Sequence, residues 1–403
     1  MINENLVFRN TSFTLFFLFL FFLPLYEAPK NIFSVLFVFT GLWVAIRECG
    51  FLRIFINEYI NKWAFFLVAM SSFLAGIDSP YVDLSQRLFS ALNWALMPLI
   101  VLVFLMLRPS LSIVDWALRV CCTSIIVAVI EAFLSWSGPY PELNSVGHVN
   151  QSALYSAFCL IPAGLLVIRR SSQVDVPLAI LSTVSIFWYQ SKALSLVGLS
   201  VSIAICAGIF FIYCLKRGRI RLMSGMVLIC LSLAVSVWFL PPPYFGPFQE
   251  VKQEFDDRLH SKIDPFSQRD RLLNSAWVVA GQSLVGFGLG SFGEATDLAR
   301  VEVAIKEMGR DWTAEGSSFY SSSHGHNLFA NVLVERGWIG IFSIASFLIA
   351  LLWSLRRKAY FEESRVGILL LVVTMLAGMG QSVLHVEHGQ LVFLCLGFCL
   401  RAD

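Results

Sequence analysis

Two histidines and an asparagine stand close together in SSSHGHNLFANVLVERGWIG (321–340), where a polar stretch gives way to an apolar one. Histidine ionises nearest neutral pH, so His324 or His326 suits proton transfer to or from a hydroxyl. Asn327, Asn331, Val334 and Glu335 recur at helical spacing, which brings Asn327 and Glu335 near the same mouth as His326. Two other readings stay open. The histidines could be solvated loop residues at a helix start, or a His-x-His metal pair, although no third ligand is evident.

Cations supply the second ingredient. Arg269 and Arg271 open the segment RDRLLNSAWVVAGQ, from which a planar guanidinium could grip phosphate or diphosphate oxygens in bidentate fashion; an ordinary surface pair with Asp270 is the plainer reading. Lys192, in FWYQSKALSLVG, is a cation in a very short connection between two apolar runs, either an interfacial anchor or a contributor of positive charge to the same cavity. His148, Asn150 and Gln151 begin another apolar run, where amides suit sugar hydroxyls and Asn150 equally suits a helix cap. His385, Glu387 and His388 read as rim residues. Within the apolar runs, Asp115 and Arg119 are four apart and are expected to pair with each other, while Glu131 reaches toward headgroups.

The elements that must position these residues are membrane helices. Of 403 residues, 57% are hydrophobic and 14% charged, with a mean hydropathy of +0.73, against roughly 25% charged in a soluble domain. A net charge of +2 gives no sign of a nucleic-acid partner. Twelve apolar runs follow one another, at about 11–26, 32–46, 62–77, 88–107, 111–135, 151–168, 173–190, 194–215, 222–240, 338–355, 364–384 and 389–401. With the N-terminus inside, fourteen Lys/Arg fall in cytoplasmic loops (among them Arg47, Arg108, Arg169, Arg170, Lys216 and Arg356). Only Lys30, Arg87 and Lys192 fall in short outer loops. That bias places both termini in the cytoplasm.

The expected organisation is an N-terminal bundle of about nine helices (1–240), a large periplasmic loop (241–325) and about three C-terminal helices (326–403). The loop is polar and carries two amphipathic segments, RDRLLNSAWVVAGQ with Leu272, Leu273, Ala276, Trp277 and Ala280 on one side, and LARVEVAIKEM. Between them GFGLGSFG (286–293) is a glycine-rich turn that follows no strand and lacks the Lys-Ser/Thr of a phosphate loop. Nine cysteines lie in or beside apolar stretches, without zinc-site spacing, and read as buried fillers.

The pattern resembles the O-antigen ligase and polymerase superfamily of bacterial inner-membrane glycosyltransferases. HNLFANVLVERGWIG is similar to the family's His-Asn, apolar stretch, Glu-x-Gly and Gly, which maps its essential histidine onto His326. FSQRDRLLNSAWVVAGQSLVGFGLGSF is similar to its Arg-led amphipathic helix and Gly-x-Gly turn, which maps its pyrophosphate-binding arginine onto Arg269 ahead of Arg271; GHVNQSALY implicates Asn150. Where many members have Ser-Arg, this chain has Ser191-Lys192, a charge without a fork.

The resemblance implies a GT-C type fold and transfer of a glycan from undecaprenyl pyrophosphate to lipid A core on the periplasmic face. Inversion at the anomeric carbon, no metal, no cofactor and no obligatory protein partner go with it. His326 would act on the acceptor hydroxyl, and Glu335 would orient it or hold the helix end. Size favours a ligase; a polymerase joining lipid-linked repeats or a protein O-oligosaccharyltransferase are the nearest alternatives. A lipid-linked oligosaccharide flippase is the non-enzymatic one, although flippases favour interrupted midplane helices.

Overall fold

The computed structural model describes residues 2–49, 60–75, 81, 83–193, 195–216, 265–297, 299, 327–358, 361–379 and 386–400. Among the described residues there are thirteen helices and no strand. The chain runs through α1 (Ile2–Phe22), α2 (Glu27–Cys49), α3 (Ile60–Leu74), α4 (Leu84–Met106) and α5 (Leu111–Leu134), then α6 (Val149–Phe158), α7 (Leu160–Arg169), α8 (Asp175–Ala193) and α9 (Leu196–Lys216). α10 (Pro265–Ala280), α11 (Leu328–Arg357), α12 (Glu362–Gly378) and α13 (Val386–Leu400) follow.

Five stretches, Glu27–Glu48, Leu111–Leu134, Val149–Arg169, Val197–Leu215 and Leu328–Arg357, are long and apolar enough to cross a membrane by length and composition. The described residues are all-helical, apart from turns, and consistent with a polytopic membrane protein. The expected ninth run, 222–240, lies outside the described residues, as does most of LARVEVAIKEM. The expected single run 151–168 is divided at Cys159 into α6 and α7. Pro162 has no N–H to offer the carbonyl of Phe158, so the helical ladder breaks one residue beyond that carbonyl.

A helix apolar on every side must be buried, in protein or in lipid. α13 meets this requirement: every position from Glu387 to Leu400 is buried. It packs against α4 and α12. Rings from four helices meet there, Phe16 contacting Phe37, Phe104 and Phe398. The described cysteines at 121, 122, 159, 214, 395 and 399 are buried and unbridged, as fillers should be.

Ion pairs tie the helices at one end of this bundle. Asp115 and Arg119 do not pair with each other. Arg169 Nε donates to Asp115 Oδ1 at 2.5 Å and its Nη1 to Glu363 Oε1 at 3.2 Å. Arg119 Nε donates to Asp175 Oδ1 at 2.7 Å. Buried carboxylates need several donors at once, and Asp175 collects three, the others being the Ser171 hydroxyl and the Ser172 N–H; one neighbour on the same helix supplies fewer. Glu131 is likewise engaged within the protein, accepting from Asn144 Nδ2. Its charge raises the ionisation of the Tyr26 phenol, at the α1–α2 turn, above the ordinary value.

Glu387 and His388 are not rim residues. Lys30 Nζ and Glu387 Oε1 lie 2.5 Å apart with side chains 1% and 8% exposed, fastening α2 to α13. Lys30→Met strands the Glu387 carboxylate without its cation, so the detergent-solubilised protein should lose about 3–5 kcal/mol of stability. Adding Glu387→Leu should restore much of that, because the stranded charge leaves with it; the unfolding midpoints of the single and double variants measure both effects.

Candidate functional site

α10, the glycine-rich turn and the first third of α11 form one unit. Leu272, Ala276 and Val279 of α10 share an apolar cluster with Phe292, Ala295, Ala330 and Val334. Leu272 stands three residues after Arg269, and Ala330 four residues after His326. Trp277, expected on the same side as Leu272 and Ala276, which are buried, is itself 53% exposed and meets Trp338 at 5.7 Å between ring centroids.

The turn is bolted to a break in α11. Gly337 has φ +61° and ψ −161° inside the helix. Carbonyls released there accept from the turn: Phe287 N–H to Val334 O at 2.9 Å and Gly288 N–H to Glu335 O at 3.0 Å. Ile339 N–H donates back to Leu284 O at 3.2 Å. The Glu335 carboxylate, on a residue only 8% exposed, accepts from Gly290 N–H at 3.1 Å. Three amides that a phosphate cradle would need are therefore bonded to α11, and the turn is a structural buckle.

Asn327 caps α11. Its Oδ1 accepts from Phe329 and Ala330 N–H at 2.8 and 3.2 Å, while its Nδ2 donates to Met379 O at 3.0 Å beyond the end of α12. Both ends of the amide are thus engaged in fixing the backbone next to His326. His324 and His326 themselves lie outside the described residues, as do His385 and the side chains of Arg269 and Arg271.

Other hydrogen bonds gather further candidates at the same end of the bundle. His388 of α13 is fully buried, with Nε2 2.6 Å from Gln151 O at the start of α6. Gln190 Nε2 of α8 donates to Ala153 O and to Ser202 Oγ, at 3.1 and 2.7 Å. Asn150 is therefore on the opening turn of α6, beside the last turn of α8 that carries Lys192, and both side chains are exposed. Asn150 is not the cap of α6: His148 is, its Nδ1 accepting from Asn150 N–H at 3.3 Å. That leaves the Asn150 amide outside the cap.

Residues 177–345 match the O-antigen ligase family. The matched stretch is a little over two-fifths of the chain. The match bears out the resemblance to the O-antigen ligase and polymerase superfamily, and no curated protein matches the chain. The matched stretch takes in Lys192, Arg269, Arg271, His324, His326, Asn327 and Glu335, together with the buckle and the break in α11; Asn150 precedes it. Among the described residues no cluster of three His, Cys, Asp or Glu side chains could hold a metal ion.

Residue-type reasoning missed Arg336, the largest fully buried side chain among the described residues. Its signal is present in the sequence, a cation one residue after Glu335 inside an apolar helix, where charges default to function.

Proposed function

We propose that the protein is an inner-membrane glycosyltransferase acting as an O-antigen ligase. It would transfer O-antigen glycan from undecaprenyl pyrophosphate to lipid A core on the periplasmic face, with both termini in the cytoplasm. The observation that carries this reading is the O-antigen ligase family match over 177–345, which encloses both Arg269 and His326.

In this reading Arg269, with Arg271 and Lys192 nearby, stabilises charge developing on the departing diphosphate without a metal. His326 removes or orients the proton of the attacking sugar hydroxyl, and the anomeric carbon inverts. The geometry favours Glu335 as the residue that holds the buckle against α11, and Asn327 as the one that fixes the helix start after His326. Exposed Asn150 is available to glycan hydroxyls. A bundle of about twelve spans of GT-C type, with a periplasmic loop at 241–325, accommodates these roles.

A polymerase shares the chemistry and differs in acceptor. Deletion of the gene decides between them on a lipopolysaccharide gel run beside an analysis of undecaprenyl-linked glycans. The expected result is polymer that accumulates on the carrier and never reaches the core. A core capped by a single repeat would instead establish a polymerase, and unchanged lipopolysaccharide would remove both.

A further inference from the structure

Arg119 and Arg169, both partly exposed, are paired directly with carboxylates. Arg336 is only 1% exposed and has no direct ion pair among the described residues, although the charge of neighbouring Glu335 acts on it; its Nη1 and Nη2 have no hydrogen-bond partner there. Its guanidinium lies 3.7 Å from the centre of the Trp94 ring of α4. Trp94 in turn packs on the small cluster of Ala75, Ala91 and Leu289. One face of the cation is thus satisfied by an aromatic surface, while the donors along its edge are not. A cation held out of water with two donors unmet is a standing cost to the fold.

Two neighbouring observations indicate the anion that would relieve it. Arg336 is two residues before Trp338, whose exposed ring meets exposed Trp277. The pair lies beside the break in α11, and tryptophan is enriched at the membrane–water interface, the depth at which lipid phosphates lie. Arg336 also directly precedes the break at Gly337, where the turn that follows α10 is bonded to α11. Trp94, which covers the guanidinium, is only half-buried.

We propose that Arg336 is a lipid-phosphate subsite, whose two terminal nitrogens take oxygens of a polyprenyl diphosphate or of an anionic headgroup, with Trp94 as its backing and cover. As a donor subsite it rests on the transferase reading above and supplies a second fork in addition to that of Arg269; as a headgroup subsite it does not depend on that reading.

The test uses the full chain in phosphatidylcholine nanodiscs, titrated with undecaprenyl pyrophosphate or with phosphatidylglycerol and read by native mass spectrometry. Arg336→Met should weaken binding of one of these by about tenfold or more, the size expected for a charge-assisted bidentate contact. Arg336→Lys should fall between the two proteins, since a point charge replaces the fork. With no ligand present, Arg336→Met should melt about 2–4 °C higher than the parent, because the buried charge with its unmet donors is gone. The thermal shift caused by the bound lipid should disappear with it.

Loss confined to undecaprenyl pyrophosphate identifies the donor, and loss confined to phosphatidylglycerol identifies a headgroup. The second result stands even if the parent protein ignores undecaprenyl pyrophosphate, which would count against the transferase reading alone. Wild-type affinity of Arg336→Met for both lipids overturns the subsite. Should that variant fail to fold, Arg336→Lys binding both lipids as tightly as the parent does so.

Discussion

His326→Ala is expected to lower glycan transfer by about 10²- to 10⁴-fold, the range lost with a general acid–base group, while the protein accumulates in the membrane at its normal level. The two halves of this expectation have separate grounds. The start of α11 is held by Asn327, whose side chain caps the helix and reaches Met379 O, so the fold does not depend on the imidazole before it. Transfer does depend on it if the acceptor hydroxyl must shed a proton as it attacks. Arg269→Ala should cost about 10²- to 10³-fold through loss of charge stabilisation at the diphosphate. Together the two substitutions should cost less than the product of the single effects, because both act on one transition state. Purified protein, a lipid-linked donor and a core acceptor allow the rates to be compared directly. Normal transfer by His326→Ala would remove the proposed chemistry, whereas a raised KM with unchanged kcat would assign His326 to binding.

What could be read from the residues alone depended on whether local pattern or distant packing decides the outcome. Apolar runs longer than a bilayer is thick can only be helices, so the described bundle follows their order, and helical spacing in RDRLLNSAWVVAGQ anticipated α10. Partners across the bundle were another matter. Asp115 and Arg119 satisfy the i, i+4 rule, yet each finds a better partner on α7 or α8, more than fifty residues away. Glu387 and His388 stand in a charged pentapeptide that reads as solvated, but Lys30 and the Gln151 carbonyl draw them inside. Trp277 fits the apolar stripe of its helix by spacing and is exposed, because Ala276 and Val279 already fill the contact with α11. For the site, the sequence signals were residue types, His326 and Arg269 above all. Residue types left Glu335 open between orienting the histidine and holding the helix end, and its hydrogen bond from Gly290 N–H, which ties it to the glycine turn, was not legible there. No spacing rule connects residue 290 with residue 335.

Gly337→Ala should disable the enzyme as thoroughly as loss of Arg269, and by a different route. In an unbroken helix the carbonyls of Val334 and Glu335 would accept from the N–H groups of Trp338 and Ile339. Here they accept from Phe287 and Gly288 instead, and Ile339 donates to Leu284 O. That exchange requires the backbone of residue 337 at φ +61°, a region open chiefly to glycine. It also requires the absence of a side chain, since a Cβ would lie 2.2 Å from Leu284 O and 2.5 Å from Gly286 N, both backbone atoms that cannot swing away. Alanine therefore favours a straight helix that reclaims its own hydrogen bonds and expels the turn. Positive-φ strain of about 1–3 kcal/mol adds to roughly 1 kcal/mol for each turn bond lost, enough to detach 284–290 without unfolding the bundle. Limited proteolysis should open new cleavage within 281–291 while helix content stays level and transfer falls. Gly281→Ala is the matched control, because a Cβ there meets nothing within 4 Å and its backbone is not at positive φ. Wild-type transfer by Gly337→Ala, with the turn shown to be released, would separate the buckle from catalysis and leave α10 to hold Arg269 through the Leu272–Ala330 cluster alone.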